Sequence, residues 1–266
     1  MAFTPMVPSK GVVGWNFLKS TYARQKEIFL KSPEVSRDLE RASASMTSVG
    51  SVDALLADRT NLKIVLGAFG LEKDIDNRYF IKKIIESDSA DPKSLANRMS
   101  DQRYKDLANS MAELHATGSI SLASTRRLIA EYETKSFEVA VGDQSNEMRL
   151  ALNAEREMVT LAQSDASENT KWYKILGTPP LRTVIQTYLR LPSSIAKLDL
   201  DTQKEMFANK LQSRLGIESL SNLSDPGVMK KLVQGYLMQS QINTSSDVSG
   251  SMTALTLLKS SQNAPF

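Results

Sequence analysis

The sequence predicts an all-α protein built from two related multi-helix halves packed in one elongated or bilobal body. Three observations predict this fold: apolar residues recur at intervals of three and four, strand-like alternation is rare, and signals for helix starts and ends punctuate the chain. The 266 residues are 41% hydrophobic and 24% charged, which is ordinary globular composition.

Helical periodicity is clearest in three segments, residues 124–141, 146–163 and 202–215. In each of them, apolar side chains form a stripe along one face of a helix. β-branched and aromatic residues, in contrast, rarely alternate with polar residues over several positions, so strands are not indicated.

Local signals mark where helices begin and end. A polar residue followed by proline marks a helix start, because proline fits the first turn and the polar side chain caps free N–H groups. Four such pairs occur: Ser32-Pro33, Asp91-Pro92, Thr178-Pro179 and Asp225-Pro226. Glycines mark helix ends at Gly70, Gly142 and Gly216. Together these signals predict about ten helices joined by short loops.

The stretch "NLKIVLGAFGLEKD" at residues 61–74 predicts a helix followed by a tight corner. We expect Asp58 or Thr60 to cap the helix, Gly67 to permit close packing, and Gly70 to end the helix in a left-handed conformation. The acidic residues 72–76 should then begin the next helix. A phosphate loop is not indicated, because Gly-Lys-Ser/Thr is absent and the preceding run is helical.

An internal similarity predicts the two halves. The segment "LLADRTNLKIVLGAFGL" resembles "KILGTPPLRTVIQTYLRL", with Leu62 matching Leu181 and Phe69 matching Tyr188. Two further pairs of segments match in the same order: residues 80–84 with 207–211, and residues 94–107 with 220–233. Three matches in one order favour an internal duplication over chance.

This duplication divides the chain at the Gly/Ser-containing segment 115–123. We predict an N-terminal helical half at residues 1–118, a C-terminal helical half at 119–243, and a Ser-rich tail with a short terminal helix at 244–266. The Ser/Thr-rich residues 241–251, which overlap the start of this tail, are expected to form a mobile connection. The terminal helix is expected to carry Leu255 and Leu258 on one side.

Few residues are available for catalysis. The chain has no cysteine, which excludes thiolate nucleophiles and thiolate metal sites. Its one histidine, His115, is interpreted as a solvated loop residue. The remaining candidates, Glu72, Asp74, Asp199 and Asp201, are interpreted as helix-capping acids rather than an acid–base pair or a calcium site. We therefore assign no catalytic residue, metal ligand or cofactor.

The distribution of charge and hydropathy along the sequence argues against nucleic acid as a partner and against a membrane span. The 33 basic and 30 acidic residues are interspersed, which is unlike the concentrated basic face of a nucleic-acid-binding protein. No run approaches the length of a membrane-spanning helix.

Trp15 and Trp172 precede apolar helical segments, so we expect them in the core. The N-terminal arm "FTPMVPSKGVVGW" is expected either to pack on its own fold or to dock on a neighbour.

Several segments together resemble a family of uncharacterised α-proteobacterial proteins that are often associated with flagellar genes. These segments are "DRTNLKIVLGAFGLEKDIDNRYFIKKIIESDSADPKSLANRMSDQRYKDL", "FEVAVGDQSNEMRLAL", "WYKILGTPPLRTVIQTYLRLP" and "LDLDTQKEMF". The resemblance extends from Phe3 to the tail. It implies a flagellum-linked role with protein partners, and it implies no activity or catalytic residues.

Three functional hypotheses follow. The first is a non-catalytic structural or interaction protein of the flagellum, either a subunit or an assembly accessory. The second is a helical adaptor or chaperone with a groove between its halves. The third is a carboxylate-based hydrolase that uses two acids. The N-terminus lacks the pattern of a cleavable signal peptide, so we expect a cytoplasmic protein or one exported to the flagellum without such a peptide.

Overall fold

The structure is a computed structural model that describes the backbone of residues 3–262 and the side chains of residues 3–244. Within this part of the chain every regular element is helical, so the predicted all-α class is confirmed. The α-helices are α1 (Gly11–Leu30), α2 (Pro33–Ser45), α3 (Val52–Ala57), α4 (Arg59–Ala68), α5 (Arg78–Ile85), α6 (Leu95–Arg98), α7 (Gln102–Thr117), α8 (Leu122–Gly142), α9 (Asn146–Gln163), α10 (Glu168–Leu176), α11 (Pro179–Leu189), α12 (Leu200–Leu215) and α13 (Pro226–Gln262). The 3-10 helices are η1 (Met46–Ser48), η2 (Glu72–Asp74), η3 (Ser193–Lys197) and η4 (Leu220–Ser224).

The three segments with clear apolar stripes form α8, α9 and α12, as predicted. Each of these helices begins at a side-chain cap. Ser121 accepts a hydrogen bond from the backbone N–H of Ser124, and Asp199 accepts one from the backbone N–H of Thr202. Helix α12 ends at Gly216, which has a left-handed φ of 70°. The predicted capping role of Asp199 is therefore confirmed.

The corner at residues 58–71 also forms as predicted. The Asp58 carboxylate caps α4 by accepting a hydrogen bond from the backbone N–H of Thr60 at 2.9 Å. Gly70 has a φ of 67°, which a residue with a Cβ adopts at a cost. The N–H of Leu71 then donates to the carbonyl of Leu66 at 2.9 Å and closes the helix end.

The acidic residues 72–76 begin a helix, as predicted, but it is only the short 3-10 helix η2, which has Glu72 and Asp74 in its first turn. A turn follows, and α5 begins as a separate helix at Arg78. Two of these acids also contact residues distant in the sequence. The Asp74 carboxylate accepts a hydrogen bond from the Tyr104 hydroxyl at 2.9 Å, and Asp76 pairs with Arg59 at 2.8 Å.

Two expectations about helix ends are wrong. No helix begins after Asp91, because its carboxylate accepts from the backbone N–H of Lys93 at 2.9 Å and closes a turn instead. His115 is exposed, as expected, but it lies in the last turn of α7 rather than in a loop. Helix α7 continues until Gly118, whose φ of 69° ends it.

The predicted connection at residues 241–251 is also wrong, because α13 is one helix from Pro226 to Gln262. The segment contains no proline, and each Ser, Thr or Asn lowers helix stability by only about 0.5 kcal/mol relative to alanine. The first turns of α13 pack in the core and extend the helix from there. The expected stripe of Leu255 and Leu258 lies outside the described side chains.

The buried apolar side chains form two clusters, which we call the first core and the second core. The first core collects residues of α2 to α8, from Ala42 to Tyr132. The second core collects residues of α1 and of the chain from Phe137 to Leu237. Trp15 and Trp172, only 5% and 4% exposed, lie in the second core, as predicted.

Helices α1 and α8 join the two parts of the chain. Helix α1 comes first in the sequence but packs in the second core, and α8 contributes side chains to both cores. The N-terminal arm packs on its own fold: the Gln25 side chain accepts from the N–H of Met6 at 2.6 Å and donates to its carbonyl at 3.2 Å. The division of the chain at residue 118 stays a prediction.

Gly67 brings α4 and α8 into close contact, as the sequence predicts. A Cβ placed on Gly67 would lie 2.6 Å from the ring of Tyr132, which is itself buried. We expect Gly67→Val to lower the free energy of unfolding by about 1–3 kcal/mol, because the core cannot accommodate the added volume. Urea denaturation would measure this loss.

Gly50 provides the matched control, because a Cβ placed there meets nothing within 4 Å. Gly50→Val should change stability by less than about 0.5 kcal/mol. Combining Gly67→Val with Tyr132→Ala should cost less than the sum of the two single changes, because the smaller side chain makes room. Equal stability of the Gly67→Val and Gly50→Val variants would contradict the proposed contact.

Candidate functional site

A groove of about 610 Å³ lies between α2 and α8. Its lining comes from one stripe on each helix: Leu39, Glu40, Ser43, Ala44, Arg126, Ile129, Ala130 and Glu133. The lining residues recur at intervals of three or four on both helices, so each helix presents a continuous face to the groove.

The floor of the groove is apolar and made largely of short side chains. Leu39 and Ile129 are partly buried against the first core, whereas Ala44 and Ala130 are exposed. Larger apolar residues nearby, Met46 of η1 and Tyr132 of α8, are buried in the first core instead. Short side chains on the outer faces leave room for a third helix to approach closely.

Charges mark the rim of the groove on α8. Arg126 and Glu133 stand on either side of Ile129 and Ala130. Neither charged group forms a hydrogen bond or ion pair with another residue in the part of the chain that the structure describes. On the α2 side, Glu40 accepts a hydrogen bond from the Ser36 hydroxyl at 2.8 Å. The α8 rim therefore offers a partner the unpaired guanidinium of Arg126 and the carboxylate of Glu133, which also interacts electrostatically with Lys26.

Helix α4 fixes the two walls of the groove from beneath. Lys63 of α4 pairs with Asp38 of α2 at 2.7 Å, and Gly67 of α4 packs against Tyr132 of α8. Both α2 and α8 are thus held by the same buried helix. The groove is a preformed feature of the fold.

A charged network adjoins the groove where α8 passes from the first core to the second. Glu138 of α8 is 3% exposed, and its carboxylate accepts two hydrogen bonds from Arg156 of α9, at 2.8 and 3.1 Å. Asn153 donates to the same carboxylate at 3.3 Å. Lys135 pairs with Glu157 at 3.2 Å, and Glu157 also pairs with Arg156 at 3.0 Å.

The network changes the protonation properties of its members. Burial alone would raise the pKa of Glu157, but Lys135 and Arg156 outweigh that effect and hold the pKa below its usual value. Burial likewise acts to lower the pKa of Arg156, yet the hydrogen bonds to Glu138 raise it. For Lys26, which donates to Thr134 at 2.8 Å, burial prevails and the pKa is lowered.

The four candidate acids lie elsewhere, and three of them accept hydrogen bonds from other residues of the chain. Asp74 accepts from Tyr104, Asp199 caps α12, and Asp201 accepts from the Tyr173 hydroxyl. One carboxylate oxygen of Glu72 is buried and has no partner among the described residues. None of the four lines the groove. No group of three His, Cys, Asp or Glu side chains that could hold a metal ion occurs within the described residues.

Sequence analysis did not identify the groove or the network. Ser43, Ala44 and Ala130 carry no motif, because short residues on a solvent-facing helix surface resemble any other exposed positions. A signal did exist for Glu138, which lies directly beside the buried Phe137 and close to Val141. A charged residue within such an apolar stretch predicts a buried ion pair.

Comparison with known proteins assigns the chain to a family. A family model described as a protein of unknown function, DUF1217, matches residues 68–229, which is more than half of the chain. The chain belongs to the DUF1217 family. The predicted membership in an uncharacterised family is thereby confirmed. The DUF1217 match includes α8, whereas α2 precedes it.

A solved structure shows the same fold. A protein from Agrobacterium tumefaciens, whose X-ray crystal structure was determined by structural genomics, matches with a TM-score of 0.68 and 24% sequence identity. The match covers 90% of this DUF1217 chain and 99% of that protein.

No curated protein has significant similarity to the chain. Among the described helices, none combines the length and hydropathy of a membrane-spanning segment.

Proposed function

We propose that this DUF1217 protein is a non-catalytic interaction protein that binds an amphipathic helix of a partner protein in the groove between α2 and α8. The observation that carries the proposal is the apolar floor of short side chains between two charged side chains of opposite sign, Arg126 and Glu133. A partner helix would bury its apolar residues on Ile129 and Ala130. Its own acidic and basic residues would pair with the rim and fix its direction.

We propose further that the partner is a flagellar component, and that the protein is a flagellar subunit or an assembly accessory. The support is the resemblance of nearly the whole chain to proteins often associated with flagellar genes. A helical adaptor or chaperone is the alternative, and it would use the same groove. A carboxylate hydrolase is less well supported, because Asp74, Asp199 and Asp201 serve as internal hydrogen-bond acceptors.

We also propose that the two halves arose by internal duplication. In support, the order α4, η2, α5 resembles the order α11, η3, α12. Helices α4 and α11 are both followed by a left-handed residue, Gly70 after α4 and Arg190 after α11. Arg190 lies one residue beyond the position that the match of Phe69 with Tyr188 gives. In each, the following leucine donates its N–H to the helix, at 2.9 and 3.0 Å. Superposing the two segments should give a closer fit with Phe69 on Tyr188 or with Gly70 on Arg190 than in any other register.

Site-specific photocrosslinking in the native host tests the docking proposal. A photoreactive phenylalanine derivative placed at Ala130 should crosslink to a helical segment of a flagellar protein. The same residue at Ala123 is the matched control, because Ala123 is exposed on α8 but does not line the groove. Equal crosslinking at both positions, or no crosslinking at Ala130, would argue against the groove as the interface.

A complementation experiment tests the flagellar link. A deletion strain should swim poorly, and Ala123→Glu should restore swimming whereas Ala130→Glu should not, because a charge is placed on the apolar floor. Both variants should retain the thermal stability of the wild-type protein, since both positions are exposed. Normal swimming and normal flagella in the deletion strain would refute the flagellar role.

A further inference from the structure

A second depression, of about 430 Å³, lies between α11 and the middle of α13, away from the α2–α8 groove. Its lining is mostly polar: Thr183, Gln186, Thr187, Arg190, Leu191, Pro192, Gln239 and Asn243. This volume is within the range of small-molecule sites. We call it the Arg190 pocket.

Arg190 has an unusual backbone conformation. Its φ of 55° makes it the one residue other than glycine with a positive φ in the described part of the chain. The similar helix end at Gly70 uses glycine, which adopts this conformation without steric cost. A left-handed conformation costs free energy in a residue other than glycine, and such residues cluster at functional sites. We therefore considered the guanidinium of Arg190 as a binding group.

The Arg190 guanidinium is available for binding. It forms no hydrogen bond, ion pair or ring contact with any residue that the structure describes. Nearby, the Gln186 side chain donates to the carbonyls of Leu191 and Pro192, at 3.4 and 3.1 Å, and so fixes the loop that follows Arg190. The pocket therefore has a rigid wall beside a free cation.

The α13 wall supplies complementary polar groups. Gln239 donates its side-chain N–H to the Oδ1 atom of Asn243 at 2.8 Å, which leaves the Nδ2 group of Asn243 free to donate. The carbonyl oxygen Oε1 of Gln239 is buried and has no partner among the described residues. A buried acceptor of this kind is normally satisfied by a hydrogen bond.

We propose that the Arg190 pocket binds a carboxylate that stands next to a hydrogen-bond donor, as in a free α-amino acid or the C-terminal residue of a peptide. Arg190 and the Nδ2 group of Asn243 bind the carboxylate, because a guanidinium pairs with it through two parallel hydrogen bonds. Gln239 Oε1 accepts from the adjacent ammonium or amide N–H. A single cation in an otherwise neutral pocket favours a singly charged carboxylate over a phosphate dianion.

Isothermal titration calorimetry with the full chain tests this proposal. One set of titrations uses free α-amino acids, and a second uses N-acetylated tripeptides with a free C-terminus. The same tripeptides with an amidated C-terminus, and inorganic phosphate, are the controls. Saturable binding in either of the first two sets, with no binding of the controls, is the expected result, and the set that binds identifies the source of the carboxylate.

Arg190→Gly is the decisive variant, because glycine suits the left-handed backbone and the fold is preserved. We expect its affinity for the bound probe to fall by about tenfold or more, while its melting temperature stays the same or rises. Gln239→Met should also weaken binding. The proposal is overturned if no carboxylate binds at millimolar concentration, if phosphate binds as well as the carboxylates, or if Arg190→Gly binds as tightly as the wild-type protein.

Discussion

Replacing Arg156 with methionine is expected to lower the free energy of unfolding by about 3 kcal/mol, because it leaves the carboxylate of Glu138 buried without its cation. The Glu138 side chain is only 5% exposed, and two of its three hydrogen bonds come from Arg156. The estimate is at the low end for a buried pair because Arg156 is itself 28% exposed. Urea denaturation at pH 7 would measure the loss.

Two further variants test whether the loss of stability in Arg156→Met comes from the broken ion pair or from replacing any arginine with methionine. The double change Glu138→Leu and Arg156→Met should restore much of the lost stability, since no unpaired charge remains in the core. Arg24→Met, at an exposed position of α1, should change stability by less than about 0.5 kcal/mol. A double variant no more stable than the Arg156→Met protein would contradict the ion-pair explanation.

The effect of Arg156→Met should also depend on pH. Arg156 and Lys135 hold the folded-state pKa of Glu157 below its usual value of 4.5, so Glu157 stabilises the fold at pH values above 4.5. This contribution disappears as the pH falls through the lowered folded-state pKa. The difference in stability between the wild-type and Arg156→Met proteins should therefore be largest near neutral pH and should shrink in acid.

Replacing Phe137 with alanine should cost about 3–5 kcal/mol and loosen the attachment of α1. Phe137 of α8 is fully buried and packs edge-on against two rings of α1, Tyr22 at 5.3 Å and Phe29 at 5.7 Å. Removing the ring leaves a cavity at the contact between α1 and α8. Hydrogen exchange should show faster exchange of the amides of α1 in this variant.

Phe207→Ala is the matched control for Phe137→Ala, because Phe207 is equally buried in the second core but belongs to α12. We expect a similar loss of stability without selective exposure of α1. Phe137→Leu should cost less than about 1.5 kcal/mol, because most of the buried volume is kept. Equal acceleration of exchange in α1 for both alanine variants would show that Phe137 has no special role in holding that helix.

Local interactions explain which features of the fold could be predicted from the sequence. Asp58, Asp199, Gly70 and Gly216 mark helix ends through hydrogen bonds and backbone conformations that involve residues only a few positions away. The apolar stripes of α8, α9 and α12 likewise depend on a period within one segment. These signals are local, so they were sufficient to predict the all-α class and most helix positions.

Contacts between residues that are distant in the sequence determine how the helices pack and where the groove lies. Asp74 lies in the first turn of η2, as the sequence predicts, but its hydrogen bond to Tyr104, thirty residues away, has no local signal. Helix α1 packs in the second core because Tyr22 and Phe29 meet Phe137, and no local pattern specifies that partner. The groove exists only because α4 holds α2 and α8 side by side.

The sequence by itself therefore determined the helical class, the caps and corners of the helices, and the membership of an uncharacterised family. The tertiary structure alone decided how the helices are shared between two cores, where Glu138 and Arg156 form a buried pair, and where a groove opens. The physical reason is that caps and periodicity act over a few residues of chain. Packing instead depends on the shapes of surfaces that meet only after the chain has folded.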